Sequence, residues 1–277
     1  MRAGLLQLNV SDDPEANLPV TLSMVAEAAS EGATLVLTPE VTNCLSSSRS
    51  RQQEVLRYED QDETLSALRD AAARHGIWLL IGSLALKTGD ADGRFANRSF
   101  LIDPAGDIRA RYDKIHMFDV QVSAEETYRE SDGFRPGEEA VVGDTPFGKL
   151  GLTICYDIRF PHLYRRLARA GADILTVPAA FSPVTGAAHW EPLLRARAIE
   201  SGAFVLAPAQ CGSHATSRGR PRATYGHSMA VAPWGDVLVD AGDAPCVTCM
   251  DLNMTDVATA RRRVPSLLHD RSIAGPP

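Results

Sequence analysis

Short uninterrupted apolar runs alternate with stretches whose apolar residues recur every three or four positions. Leu5–Val10, Thr34–Thr38, Ile77–Ser83, Leu150–Ile154, Asp173–Val177 and Ala203–Ala207 are too short for helices. They read as strands, several apolar on both faces as buried strands are. Between them lie helices with legible ends. Ser11-Asp12-Asp13-Pro14 caps a helix that runs to about Glu31 and stops at Gly32. Leu65–His75 carries Leu65, Leu68 and Ala72 on one face and stops at Gly76. Further helices are predicted over Pro161–Ala170, His189–Ser201 (Trp190, Leu193, Leu194 and Ala198 on one face) and Met254–Arg263.

Two hairpins interrupt this alternation, Arg98–Asp103 with Ile108–Tyr112 and Ser228–Val231 with Asp236–Val239, and Cys246–Leu252 is a last strand. Asn43–Glu63 is polar and rich in Ser and Arg, which predicts a surface loop with a short helix. Phe118–Glu139 is a long irregular stretch with turn signals at Asp132-Gly133 and Pro136-Gly137; loops of that length within a domain usually carry function or move. No linker or composition break appears, so residues 1–277 are expected to form one domain. Two sheets, each with helices outside it, would satisfy the pattern.

Composition narrows the function. A hydrophobic share of 44% over 277 residues supports a sizeable core. The net charge of −7 and the lack of a basic run argue against a nucleic-acid binder; Arg261-Arg262-Arg263 fits a helix C-terminus better. No stretch is apolar enough to span a membrane, and the chain starts on a strand-like AGLLQLNV, so neither anchor nor secretory leader is expected. Five scattered cysteines (44, 155, 211, 246 and 249) suit a reducing cytoplasm better than a disulfide scaffold. Cys246 and Cys249 form a lone CxxC within a strand, a poor zinc or redox site. No GxGxxG is present, and the GxxxxGK match at Gly143–Lys149 is followed by Leu150 where a phosphate loop has Ser or Thr.

Three strand ends carry reactive groups followed by structure-breaking residues: Glu40, Lys114 and Cys155. A free thiol, with its pKa near about 8.5, is mostly protonated at neutral pH. A carboxylate can take its proton, an ammonium favours the thiolate, and the same ammonium can hold an oxyanion. The backbone N–H of Tyr156, next after Cys155, is placed to share that oxyanion. Spacing alone leaves the alternatives open: Glu40 and Lys114 as surface charges, Cys155 as a buried apolar residue, or a Cys155–His pair.

LTPE (Leu37–Glu40), YDKIHMFD (Tyr112–Asp119) and GLTICYDIRFP (Gly151–Pro161) resemble the three signatures of the nitrilase superfamily of carbon–nitrogen hydrolases, in the same order. The resemblance implies a four-layer α-β-β-α sandwich, an α/β fold of two mixed sheets flanked by helices. It also implies a Glu40-Lys114-Cys155 triad, no metal or cofactor, and pairing of protomers through the outer helices into a homodimer or higher oligomer. A second glutamate often assists in the family, and Glu130 is the matching residue. Ala180–Ser201, AQCG (Ala209–Gly212), YGHSM (Tyr225–Met229) and APWG (Ala232–Gly235) resemble the branch of deaminated-glutathione amidases and ω-amidases. That branch implies a small amide substrate bearing a carboxylate, with hydrolysis of deaminated glutathione ahead of 2-oxoglutaramate, and a binding protein without catalysis as the distant third reading. Arg159 is the natural donor to such a carboxylate, or else a structural partner of Asp157. Phe181 and Thr185 would line the pocket, although core packing explains Phe181 equally well.

Overall fold

Asp13 accepts a hydrogen bond from the N–H of Glu15, and Pro14 needs no acceptor for an N–H it lacks, so the first helix starts where these two residues dictate. The computed structural model describes residues 1–122, 127–272 and 274–275. Strand β1 (Arg2–Gln7) leads to α1 (Pro14–Ser30), β2 (Leu35–Leu37), α2 (Arg49–Val55) and α3 (Glu63–His75). The last of these ends at Gly76 with φ of 64°, the left-handed cap that glycine adopts freely. There follow β3 (Trp78–Lys87), β4 (Phe95–Ile102), β5 (Ile108–Asp113) and a small ribbon of β6 (Asp119–Gln121) and β7 (Thr127–Arg129). The second half runs β8 (Val141–Thr145), β9 (Gly148–Leu152), α4 (Pro161–Arg169), β10 (Ala172–Thr176), α5 (Pro183–Ser201) and β11 (Phe204–Ala207). A ribbon of β12 (Cys211–His214) and β13 (Arg222–Tyr225) precedes β14 (Met229–Val231), β15 (Val237–Asp240), β16 (Cys246–Asp251) and α6 (Thr255–Arg263).

The larger strands form two six-stranded sheets, ordered β16-β1-β2-β3-β4-β5 and β15-β14-β11-β10-β9-β8. Each has three parallel strands at its centre, built by strand–helix–strand crossovers, and antiparallel strands outside them. Register explains the doubly apolar strands. Leu5, Leu37 and Leu80 stand opposite one another and pack with Leu150, Leu152 and Ile174 of the other sheet. Their neighbours Leu6, Val36, Leu79 and Ile81 pack instead with Val25 of α1 and Leu68 of α3. Helices α4 and α5 cover the other sheet through Leu163, Leu167, Trp190 and Leu194. The result is the α-β-β-α sandwich, with mixed sheets.

Three local expectations need correcting, and three strands were not foreseen. The Asn43–Glu63 stretch is not wholly a surface loop, because Asn43, Cys44 and Leu45 are buried. Asn43 exchanges hydrogen bonds with the backbone of Ala85, a strand-like pairing made by a side chain and hence invisible to periodicity. Strand β8 and the β12–β13 ribbon lack strong alternation and owe their conformation to their partners. Helix α5 begins at Pro183, six residues before His189, with Pro at its first position. Finally, Phe118–Glu139 contains β6 and β7, although residues 123–126 lie outside the described ones.

His214 clamps the β12–β13 ribbon to the rest of the molecule. Its Nδ1–H donates to Val10 O at 2.7 Å, and its Nε2 accepts from Thr224 Oγ1 at 2.7 Å. Burial, aided by the charge of Arg222 and opposed by the Val10 carbonyl, pushes its pKa down from 6.5 to about 4. The unfolded chain therefore takes up this proton first as pH falls. The folded state loses up to about 3 kcal/mol between these two pKa values. Urea midpoints should fall from pH 7 to pH 4.5, with a shallower fall in His214→Gln, which keeps one donor and one acceptor; equal slopes would refute the assignment.

Candidate active site

Gly82 lets the strand ends meet. A Cβ there would lie 2.0 Å from Thr38 O and 2.5 Å from Pro178 Cβ, so only glycine allows the turn after β2 to approach the turn after β10. Gly82 N also donates to Thr38 Oγ1 at 3.0 Å. Beyond it the chain turns at Val41, which has φ of 50°, a conformation rare for a β-branched residue. The Val41 N–H donates to Ser83 Oγ at 2.8 Å, and Glu40 O accepts from Gln210 Nε2 at 3.0 Å. Glu40 is thereby aimed inward from a tightly held turn.

Cys155 emerges in the same way from the second sheet, three residues beyond β9 at the start of a short 3₁₀ turn, also with φ of 50°. Its N–H donates to Pro178 O at 2.9 Å. The fully buried Asp157 fixes this elbow. Its carboxylate accepts from Ile154 N (2.8 Å), Tyr112 Oη (2.7 Å) and His116 N (3.1 Å), and its Oδ1 lies 2.7 Å from His116 Nδ1. Lys114 follows β5 directly, and its N–H donates to Asn97 O at 2.9 Å.

These three residues converge. Lys114 Nζ lies 2.9 Å from Glu40 Oε1 and 2.9 Å from both carboxylate oxygens of Glu130. Asn97 Nδ2 donates to Glu40 Oε1 at 2.9 Å and reaches Glu130 Oε1 at 3.5 Å. Ala180 N donates to Glu40 Oε2 at 2.8 Å and also interacts with the Cys155 sulfur, while the thiol itself hydrogen-bonds Glu40. Phe118 N anchors Glu130 Oε2 at 2.6 Å. Glu40, Lys114 and Cys155 are all buried, at 4%, 2% and 7% exposure, so none is an ordinary surface charge or surface thiol.

Burial shapes the protonation states. It pushes Glu40 up, but the Lys114 ammonium, its hydrogen bond, the Arg222 charge and the thiol outweigh it and hold the carboxyl below its ordinary value. It works against the Lys114 charge as well, yet Glu130 and Glu40 more than compensate and raise that pKa. Burial, together with the charge of Glu40, raises the Cys155 thiol despite Lys114. The resting arrangement is thus a neutral thiol beside an ionised carboxylate that also binds an ammonium. Such a carboxylate can accept the thiol proton.

The group opens on a cavity of about 380 Å³. Glu130, Tyr156, Phe181 and Thr185 line it with the trio. Phe181 does both things expected of it, since its ring also packs on Trp190 at 4.9 Å. Among the described residues the N–H of Tyr156 has no backbone acceptor. Arg159 is not on the cavity wall. Its guanidinium lies over the rings of Tyr156 and Phe181, at 5.9 and 5.6 Å, and 3.3 Å from His189 Nδ1. Those two rings line the cavity beside it. It makes no bond to Asp157 either. No histidine lines the cavity: His116 engages Asp157, and His227 engages Asp240.

Sequence reading missed Asn97 and Arg222. Asn97 had one signal, a polar residue inside an otherwise buried strand; Arg222 sits in a polar segment that gave none. All five cysteines are free, and Cys246 and Cys249 contact separate carbonyls, those of Ala241 and Ala28. Among the described residues no group of three His, Cys, Asp or Glu is placed to hold a metal ion. No described helix is long and apolar enough to cross a membrane.

The model of the carbon–nitrogen hydrolase family matches residues 2–262. A deaminated glutathione amidase from Yersinia enterocolitica is 40% identical over 98% of this chain and 93% of its own length. One from Mus musculus is 39% identical over 96% of this chain and 81% of its own. The crystal structure of the Caenorhabditis elegans NitFhit protein superposes with a TM-score of 0.88 at 34% identity, covering 98% of this chain and 65% of that one.

Proposed function

Because the chain belongs to the carbon–nitrogen hydrolase family, a family of amide-hydrolysing enzymes, we propose that it hydrolyses the amide of deaminated glutathione through a thioester on Cys155. The observation that supports this most directly is one ionised carboxylate, Glu40, in contact with both an ammonium and a thiol on the cavity wall. Glu40 accepts the thiol proton as the sulfur attacks the carbonyl carbon. The oxyanion is held by Lys114 Nζ and the N–H of Tyr156. On collapse the carbon–nitrogen bond breaks, and the proton held by Glu40 goes to the departing amine. A water molecule, deprotonated by Glu40, then attacks the thioester and releases 2-oxoglutarate, with cysteinyl-glycine already freed. Glu130 keeps Lys114 charged and oriented.

Two further readings accompany this. Protomers pair through the outer helices, a reading that the exposed Val184 and Ile199 on α5 support; a sedimentation mass of one chain would refute it. Five free cysteines fit a reducing compartment such as the cytoplasm.

Release of 2-oxoglutarate from deaminated glutathione and from 2-oxoglutaramate should be measured side by side, with Cys155→Ala as the blank. The larger amide is expected to turn over faster. Preference for the smaller one would make the protein an ω-amidase instead, and cleavage of neither would sink the substrate reading.

A further inference from the structure

We infer that Arg222 binds the carboxylate at the far end of the substrate's acyl chain and so selects 2-oxo dicarboxylate amides. This rests on the function proposed above. Among the described residues four cationic side chains line the cavity, and three are otherwise accounted for. Lys114 is held by Glu40 and Glu130. Arg49 donates to the carbonyls of Gly133 and Gly93 and lies over the Phe95 ring. Arg129 is exposed at the rim. The Arg222 guanidinium lies over the Tyr128 ring at 5.4 Å and its charge acts on Glu40, but its hydrogen bonding sets it apart from these. Its one hydrogen bond among the described residues runs from a terminal nitrogen to Ala180 O at 2.6 Å. Its Nε is buried with no partner, and no described carboxylate pairs with it. A buried guanidinium N–H without an acceptor costs free energy unless something fills the gap. A carboxylate is the group whose geometry matches it.

Position decides which carboxylate. The Ala180 residue that Arg222 holds by its carbonyl uses its N–H on Glu40 and on the Cys155 sulfur. One residue therefore separates the guanidinium from the reacting atoms. In the acyl chain the terminal carboxylate lies four bonds from the scissile carbon, about 5 Å when extended. The glycine carboxylate of the leaving dipeptide lies six bonds away, about 7 Å or more, and on the opposite side of the broken bond. The nearer group fits Arg222. The charges agree as well: Glu40 and Glu130 would repel an anionic acyl chain, and Arg222 offsets them.

The test is alkylation of Cys155 by 5-chloro-4-oxopentanoate and by its methyl ester. The sulfur displaces chloride, its proton passes to Glu40, and the carboxylate of the acid lies four bonds from the carbon attacked. The wild-type protein should react with the acid at least about tenfold faster than with the ester. That ratio should fall to about one in Arg222→Gln and recover in part in Arg222→Lys. A purely structural role would slow both reagents alike and leave the ratio standing, which overturns the proposal. So does a wild-type protein that shows no preference for the acid. Neither result bears on the amidase reading, which turnover of deaminated glutathione decides separately. In steady state Arg222→Gln should lose about a hundredfold in kcat/KM for deaminated glutathione, mostly through KM.

Discussion

Replacing Cys155 by alanine is expected to reduce turnover of deaminated glutathione to the blank, a loss of at least about 10⁴-fold. Among the described residues the thiol is the nucleophile in contact with Glu40, so without it the carboxylate and the ammonium have no bond-forming partner. The fold should survive. Alanine replaces cysteine without adding bulk, and the positive φ at 155 is strained equally for both residues. Glu40 keeps the donors Asn97, Lys114 and Ala180. The loss of one sulfur atom beside an open cavity costs about 1 kcal/mol. Unchanged circular dichroism, a melting temperature within a few degrees, and no 2-oxoglutarate release are the expected results. Activity within a factor of ten of the wild type would remove Cys155 from the mechanism.

Glu40→Gln should cost about 10³-fold in kcat, because both halves of the reaction need a proton acceptor at this position. It should also destabilise the protein, unlike the cysteine change. The carboxylate accepts from Asn97, Lys114, Ala180 and the thiol, and a glutamine offers one oxygen to these donors while its NH₂ faces others. Each buried donor left without an acceptor costs about 1–3 kcal/mol. The pH profile provides a second readout. In the wild type the carboxyl sits below its ordinary value of 4.5, because burial is outweighed by Lys114 and its other partners. The active form is the carboxylate, so activity is expected to hold as pH falls to that value and to fail only below it. An acid limb well above 4.5 would mean that Glu40 is protonated at rest and cannot be the base.

Strand and helix positions were largely legible because burial on both faces of a parallel strand leaves an unbroken apolar run, as in Leu35–Leu37 and Phe204–Ala207. Caps were legible because Asp13, Pro14 and Gly76 act locally, through their own hydrogen bonds and dihedral angles. Elements that rest on a partner rather than on their own alternation were not. Strand β8 and the β12–β13 ribbon exist because a neighbour supplies their hydrogen bonds, and the buried Asn43 takes the place of a strand that the sequence does not contain. Glu40, Lys114 and Cys155 could be picked out as reactive groups at strand ends, and the three signatures they lie in pointed to one family.

Their meeting was a tertiary event. It depends on the missing side chain at Gly82, on two left-handed turns at Val41 and Cys155, and on Asp157 beneath the elbow. Arg159 shows the limit most directly. Its place four residues past Cys155 suggested a role in the cavity, and the 3₁₀ turn sets it over the rings of Tyr156 and Phe181, which themselves form the wall. Arg222, sixty-seven residues past Cys155, reaches the wall instead. Residue types and local hydrogen bonding determined which chemistry this chain could perform. Only the packing of two sheets, over separations that no periodicity encodes, decided which charges face the substrate.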